Sequence, residues 1–158
     1  MISIASLLIP LTTFIIGLFG NAVFNSRKED SRILKEQIEK LERLWRTALS
    51  YWTSDRLAPN SFGQEVEMRA IVFDVSIEYP EMSRIFGRDR FGSDYQTKLF
   101  DVVQHVMGGD FEVADRKADP SQALLSLQTI STLKLVIETR RRQLLSPNPL
   151  RWIDQFRE

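Results

Sequence analysis

One heptad register, taken at every third and then fourth position, runs through the first 52 residues, and its chemical character reverses partway along. Up to residue 24 the register positions are mostly small or polar, and after the charged stretch at residues 27–32 they become apolar. Membrane helices associate through small residues and hydroxyls, whereas helices in water associate through an apolar face. The pattern therefore predicts one self-associating helix that begins in lipid and ends in water. We call the membrane part of the register the transmembrane seam: Ser3, Ser6, Pro10, Thr13, Gly17 and Gly20.

Residues 2–24 contain no charged side chain and are rich in Leu, Ile and Phe. As a helix with a rise of about 1.5 Å per residue, this segment spans the roughly 30 Å hydrocarbon core of a bilayer. A cleaved signal peptide is the alternative, but it would need basic residues at its start, and the first basic residue is Arg27. The polar positions of the seam suit either ordinary small-residue packing or a functional oligomer contact or pore lining.

Basic residues flank only the C-terminal side of this segment, at Arg27, Lys28, Arg32 and Lys35. Because cytoplasmic flanks carry the excess of Lys and Arg, we expect a single-pass protein of the cell inner membrane with its N-terminus outside and its C-terminal domain in the cytoplasm. The expected organisation is a transmembrane helix over residues 1–25, a juxtamembrane amphipathic helix over residues 26–57 and a cytosolic α-helical domain over residues 58–158.

The juxtamembrane helix has a broad apolar face. Its register positions are Leu34, Ile38, Leu41, Trp45, Ala48 and Trp52, with Ile33, Leu44 and Leu49 beside them. A face this wide is typical of a helix that covers the core of its own domain, whereas a coiled coil between subunits needs only a narrow seam. We favour the first interpretation and keep an intersubunit coiled coil as the alternative.

A second helix is predicted to begin near Phe62, because Ser61 and Gln64 have the spacing of a capping box. Residues 71–77 also alternate well enough to form a strand, but the cap favours a helix. The predicted buried face is Val66, Ala70, Phe73 and Ile77, thickened by Met68, Ile71 and Val72.

Proline and glycine predict the remaining helices. Pro80 opens a short helix, and a charged loop at residues 87–92 precedes a helix capped by Ser93 or Asp94. The expected core positions of that helix are Tyr95, Leu99, Val102, Val103 and Val106.

Asp119 followed by Pro120 is a specific signal for the start of a further helix, which runs to about Leu145. Asn148 then caps a last short helix. The core positions expected for the longer helix are Leu124, Leu127, Ile130, Leu133 and Ile137. The predicted fold class is therefore all-α: an N-terminal single transmembrane helix that continues into a cytosolic bundle of about five helices.

Composition and charge argue against several classes of function. Lys plus Arg equal Asp plus Glu at 21 each, so no global field favours duplex nucleic acid, and the absence of cysteine excludes thiol chemistry. His105 is the only histidine and is expected to be structural. Carboxylates at Glu67, Asp74, Glu78 and Glu81 favour a solvated face over a metal site. We therefore expect no enzyme activity, no catalytic residue, no metal and no cofactor.

Two basic groups are candidates for binding an anion such as a nucleotide. They are Arg84, Arg88 and Arg90 around the glycine-bounded loop, and Arg140, Arg141 and Arg142 near a helix end. Arginine suits phosphate because its planar guanidinium donates two parallel hydrogen bonds. The alternative is that each group is solvated, faces lipid or compensates a helix dipole.

The layout resembles the small single-pass effectors that accompany bacterial antiviral systems, including CRISPR-associated ones. The resemblance rests on the uncharged residues 2–24, the basic exit at Arg27 and Lys28, and a small cysteine-free α domain. It implies a homo-oligomeric membrane effector whose cytosolic domain receives a signal, from a small anionic ligand or a protein partner, and perturbs the membrane. The alternative function is a passive single-pass tether or adaptor that docks a cytosolic protein.

Overall fold

The computed structural model describes the backbone of residues 4–87 and 90–146, and the side chains of residues 17, 20–87 and 92–146. All of the regular structure in these ranges is helical, which confirms the all-α prediction. The helices are α1 (Ile4–Trp52), α2 (Ser61–Ile77), α3 (Tyr79–Phe86), α4 (Arg90–Val106) and α5 (Pro120–Leu145). The last short helix predicted after residue 148 lies outside the described residues.

A search of the described residues finds no helix that is both long enough and apolar enough to cross a membrane. The side chains of residues 1–16, which form most of the predicted transmembrane segment, lie outside the described side chains. The membrane segment therefore stays a prediction.

Helix α1 is a single helix of 49 residues, as the unbroken register predicts. It ends at Trp52 rather than near residue 57. Its apolar face is buried inside its own domain at Leu34, Ile38, Leu41, Leu44, Ala48, Tyr51 and Trp52. The interpretation as a core-covering helix is thus confirmed, and an intersubunit coiled coil through these residues is excluded because the same side chains cannot also face another copy. Trp45 is the exception in the register, at 37% exposed.

The buried face of helix α2 was predicted only in part. Val66, Ala70, Phe73 and Ile77, the main predicted positions, are exposed. Met68, Ile71 and Val72, predicted beside them, are buried together with Val75. The predicted capping box is also wrong, because the N-cap is Asn60 without a side-chain hydrogen bond, and the hydroxyl of Ser61 is buried without a partner.

Helix α3 begins beside Pro80 as predicted, but α4 begins at Arg90, before the predicted caps at Ser93 and Asp94. Gly87 has φ 76°, in the left-handed region that favours glycine. A Cβ atom on Gly92 would lie 2.2 Å from the Gly87 carbonyl oxygen, so neither glycine tolerates a side chain. Glycine at both positions therefore lets the first turn of α4 lie against the end of α3.

Helix α5 begins at the predicted cap, where Asp119 Oδ1 accepts a hydrogen bond of 2.9 Å from the Gln122 backbone N–H. It lies between α1 and α4 and packs against both. Its buried positions are Ala123, Ser126, Ile130, Leu133, Ile137 and Leu144, so Leu124, which is exposed, was placed on the wrong side.

Candidate functional site

The first predicted basic group meets α1 close to the end of the predicted membrane segment. Arg84, in the last turn of α3, contacts Asp30 Oδ1 at 2.6 Å and Glu81 Oε1 at 2.8 Å through Nη2. The hydrogen bonds with Glu81 and Asp30 raise the pKa of Arg84 above its ordinary value. Arg84 therefore fixes the end of α3 to α1 as a permanent cation.

The second basic group reaches the same place from α5. Arg140 donates to the Ile85 carbonyl oxygen from Nε at 3.0 Å and from Nη2 at 2.8 Å. Arg141 Nε donates to Ser31 Oγ at 3.2 Å. Because Ser31 follows Asp30 on α1, and Ile85 follows Arg84 on α3, the structure brings the two groups together. We call Arg84, Arg140, Arg141 and Arg142 the arginine junction.

The members of the junction differ in what surrounds them. Arg142 has a side chain 82% exposed and contacts Glu138 at 3.5 Å. Arg88 lies outside the described residues, and Arg90 begins α4 with a side chain outside the described ones. The junction holds backbone and side-chain groups of the chain itself, so binding of an added anion there stays a prediction.

The described part of the transmembrane seam has an open surface. A Cβ atom added at Gly17 or at Gly20 would meet nothing within 4 Å. Ser6, Pro10 and Thr13 lie on α1 with undescribed side chains, and Ser3 lies outside the described residues. Neither glycine therefore packs against the part of the chain that the structure describes.

The side chains proposed for chemistry are engaged in structural contacts. Glu67 pairs with Arg43 at 2.6 Å, and Glu78 pairs with Lys40 at 2.6 Å. At His105 it is the backbone carbonyl that accepts hydrogen bonds, from Gln122 and Ser126. Among the described residues, no cluster of three His, Cys, Asp or Glu side chains is placed to hold a metal ion.

Sequence reasoning missed a buried polar cluster at the far end of α1. Glu65 accepts hydrogen bonds from Tyr51 Oη at 3.1 Å and from Arg56 Nε at 2.8 Å. The hydrogen bond from Arg56 lowers the pKa of Glu65 below its ordinary value. Buried Arg116 stacks on this cluster, with its guanidinium 4.0 Å from the Tyr51 ring centroid, and donates to the Ser54 carbonyl. These contacts tie α1, α2 and the loop before α5 together.

Two apolar surfaces are exposed on the domain. One is a stripe along α2, called the α2 stripe, which consists of Phe62, Val66, Phe73 and Ile77. The other is a groove of about 380 Å³ between α1 and α5. The groove is lined by Leu41, Glu42, Trp45, Arg46, Ile130, Ser131 and Lys134.

Comparison with protein-family models, with curated proteins and with solved structures finds no match to this chain. The function must therefore be argued from the chemistry of these surfaces and from the course of α1.

Proposed function

We propose that this chain is a homo-oligomeric, membrane-anchored effector of the inner membrane, whose helical domain receives a signal in the cytoplasm and perturbs the membrane. The resemblance of layout to antiviral effectors extends the proposal to antiviral defence. The domain would act without enzyme activity, by binding an anionic ligand or a protein partner.

The observation that carries this proposal is the continuity of α1. One helix runs from Ile4, inside the predicted membrane segment, to Trp52, at the centre of the domain core. A continuous helix transmits a rotation or a tilt through its ladder of backbone hydrogen bonds. Pro10 removes one of these bonds near the start of α1, and no proline interrupts them from Leu11 to Trp52. A change in the packing of the domain would therefore act directly on the predicted membrane segment.

The arginine junction offers a place where such a change could be made. Arg84 and Arg141 bind α1 at Asp30 and Ser31, close to the end of the predicted membrane segment. A ligand shifts a conformational equilibrium only if it binds the two states with different affinity. A ligand that drew Arg84 or Arg141 away from α1 would meet this requirement.

Two insertions between Asn25 and Ser26 test the coupling in full-length protein. An alanine-rich heptad keeps α1 continuous and changes the phase of the helix by only about 20°. A glycine- and serine-rich insertion of the same length breaks the helix. If the chain is an effector, only the first insertion should preserve depolarisation of the membrane. Depolarisation is measured with a potential-sensitive dye during expression, with and without phage infection. If the uninserted chain never depolarises cells, the effector function is refuted.

The substitution Gly17→Leu tests the oligomer contact. Because a Cβ atom at Gly17 lies more than 4 Å from every described atom outside its own stretch of helix, the substitution should leave the fold of a single copy intact. Loss of depolarisation with unchanged membrane insertion would support a contact between copies through the seam, whereas unchanged depolarisation would argue against it.

A passive tether that docks a cytosolic protein is the second candidate, and the α2 stripe favours it. Apolar patches of this kind on an otherwise polar surface often mark sites of protein association. A tether should tolerate both insertions and Gly17→Leu, so the same experiment separates the two functions.

A further inference from the structure

The domain presents a basic end toward the predicted membrane boundary. Asp30 and Ser31 lie about 10 Å along the helix axis from Phe24, the last residue of the predicted membrane segment. Because Arg84 and Arg141 bind these two residues, the ends of α3 and α5 lie at the same level. The polar headgroup layer on each side of a bilayer is about 5–8 Å thick. Long basic side chains at this end would therefore reach headgroup phosphates.

The carboxylates at this end are already paired. Glu29 and Glu36 contact Arg32, Asp30 contacts Arg84, and Glu138 contacts Arg142. Glu81 also contacts Arg84, so five carboxylates share these three arginines. Lys28 and Arg141 balance the difference, and Arg27 and Arg140 leave the described part of this end positive overall.

Two further cations at the same end have neutral partners. Lys28 lies over the Phe24 ring, 4.5 Å from its centroid, and Arg141 donates to the Ser31 hydroxyl. In the part of the chain that the structure describes, neither forms an ion pair. Arg142 adds an almost fully exposed guanidinium whose contact with Glu138 is long, at 3.5 Å. The surface at this end therefore carries positive charge available to an added anion.

We propose that Lys28, Arg141 and Arg142 form a binding surface for the phosphate of anionic phospholipid headgroups. The proposal rests on the membrane anchoring proposed above. A free phosphate ester shares the same chemistry, but a small ligand is usually held in a concave site. Lys28 and Arg142 are exposed and Arg141 is half-buried beside Ser31, and none of the three lines the groove between α1 and α5. Basic residues beside an anionic bilayer each add to the attraction, so the three together should recruit anionic lipid.

The test uses the full-length chain in lipid nanodiscs. Because the chain has no cysteine, Leu145→Cys, at an exposed position near the end of α5, gives a unique site for a fluorophore. The discs have a mixed lipid composition and contain a trace of a quencher-labelled lipid. Quenching of the fluorophore is compared between labelled phosphatidylglycerol and labelled phosphatidylcholine, which carry the same quencher on the headgroup. We expect phosphatidylglycerol to quench at least about three-fold more strongly. The triple variant Lys28→Gln, Arg141→Gln, Arg142→Gln should quench equally with both lipids.

A matched variant controls for net charge. Arg43→Gln, Arg46→Gln and Lys117→Gln remove three exposed cations away from this end, and we expect them to preserve the preference for phosphatidylglycerol. An equal loss in both triple variants, or no preference in the unsubstituted chain, overturns the proposal.

Two further measurements keep the result interpretable if the first triple variant folds poorly. Arg141→Lys with Arg142→Lys keeps the charge, and we expect the preference to remain. Its loss would assign the effect to the single hydrogen bond from Arg141 Nε to Ser31 Oγ and overturn lipid binding. Calorimetric binding of inorganic phosphate to the chain in phosphatidylcholine discs, without any preference for phosphatidylglycerol, would assign the surface to a free anion instead. A chain that does not enter discs at all refutes the membrane anchoring itself, which distinguishes that failure from a failure of lipid selectivity.

Discussion

Removing one partner of the buried ion pair between Glu65 and Arg56 should destabilise the domain far more than removing one partner of a surface pair of similar length. The side chain of Glu65 is 3% exposed, and its carboxylate lies 2.8 Å from Arg56 Nε. The Glu67 carboxylate lies 2.6 Å from Arg43 Nε, but its side chain is 34% exposed. The two glutamates therefore differ in burial, while the distance from carboxylate to guanidinium is nearly the same.

Glu65→Ala removes the acceptor of both Arg56 and Tyr51 and leaves these donors without their partner. Breaking a buried pair costs about 3–5 kcal/mol, and the partial exposure of Arg56 reduces this to about 2–4 kcal/mol. For a chain of this size the midpoint of thermal unfolding should fall by about 5–15 °C. Glu67→Ala should cost about 0–1 kcal/mol, because surface pairs are screened by solvent.

The assay is thermal unfolding of the full-length chain in detergent, followed by tryptophan fluorescence, because Trp52 lies in the core beside this cluster. Equal losses of stability in the two variants would refute the reasoning, since burial would then have no effect on the energy of the pair. A larger loss for Glu67→Ala would refute it as well.

Three further predictions concern the same domain. Because the folded state lowers the pKa of Glu65, the ionised carboxylate contributes to stability above the ordinary glutamate pKa of about 4.3. This contribution is lost as the pH falls through the lower pKa of the folded state. Acid should therefore destabilise the unsubstituted chain more than Glu65→Gln. Asp119→Ala should cost about 1 kcal/mol through loss of the N-cap of α5, measured by denaturant unfolding. Leu41→Ala should cost about 2–5 kcal/mol, because Leu41 is fully buried in the core of its own chain. Trp45→Ala should cost less than Leu41→Ala; the reverse order would place Trp45 rather than Leu41 in the core.

Local signals allowed the start and course of several helices to be predicted. The cap at Asp119 and the proline after it act within one helical turn, so their effect does not depend on the rest of the fold. The register of α1 was equally informative, because its apolar positions from Leu34 onward continue for five turns and, apart from the exposed Trp45, face a single core.

The buried face of α2 could not be chosen from its periodicity. The helix carries two overlapping apolar stripes, one with Val66 and Phe73 and the other with Met68 and Val75, and both have helical spacing. The choice is coupled to Glu65, which lies on the buried side and hydrogen bonds to Tyr51 and Arg56. Such contacts between distant parts of the chain leave no pattern in the local sequence.

The arginine junction was predicted only in part for a similar reason. The two basic groups were recognised as clusters, but their meeting depends on Ile85 and Ser31, which are unremarkable in the sequence. The burial of Arg116 had no local signal at all, because it depends on two aromatic rings in α1.

The length of α1 before its first buried residue has a mechanical consequence. From Ser31 back to Ile4 the helix extends about 40 Å beyond the point where Arg141 holds it. Over a lever arm of this length, tilting the helix at its base by about 5° displaces the distal tip by about 3–4 Å. An adjustment no larger than a side-chain rearrangement at Asp30 and Ser31 would thus be amplified to the width of a water molecule at the other end.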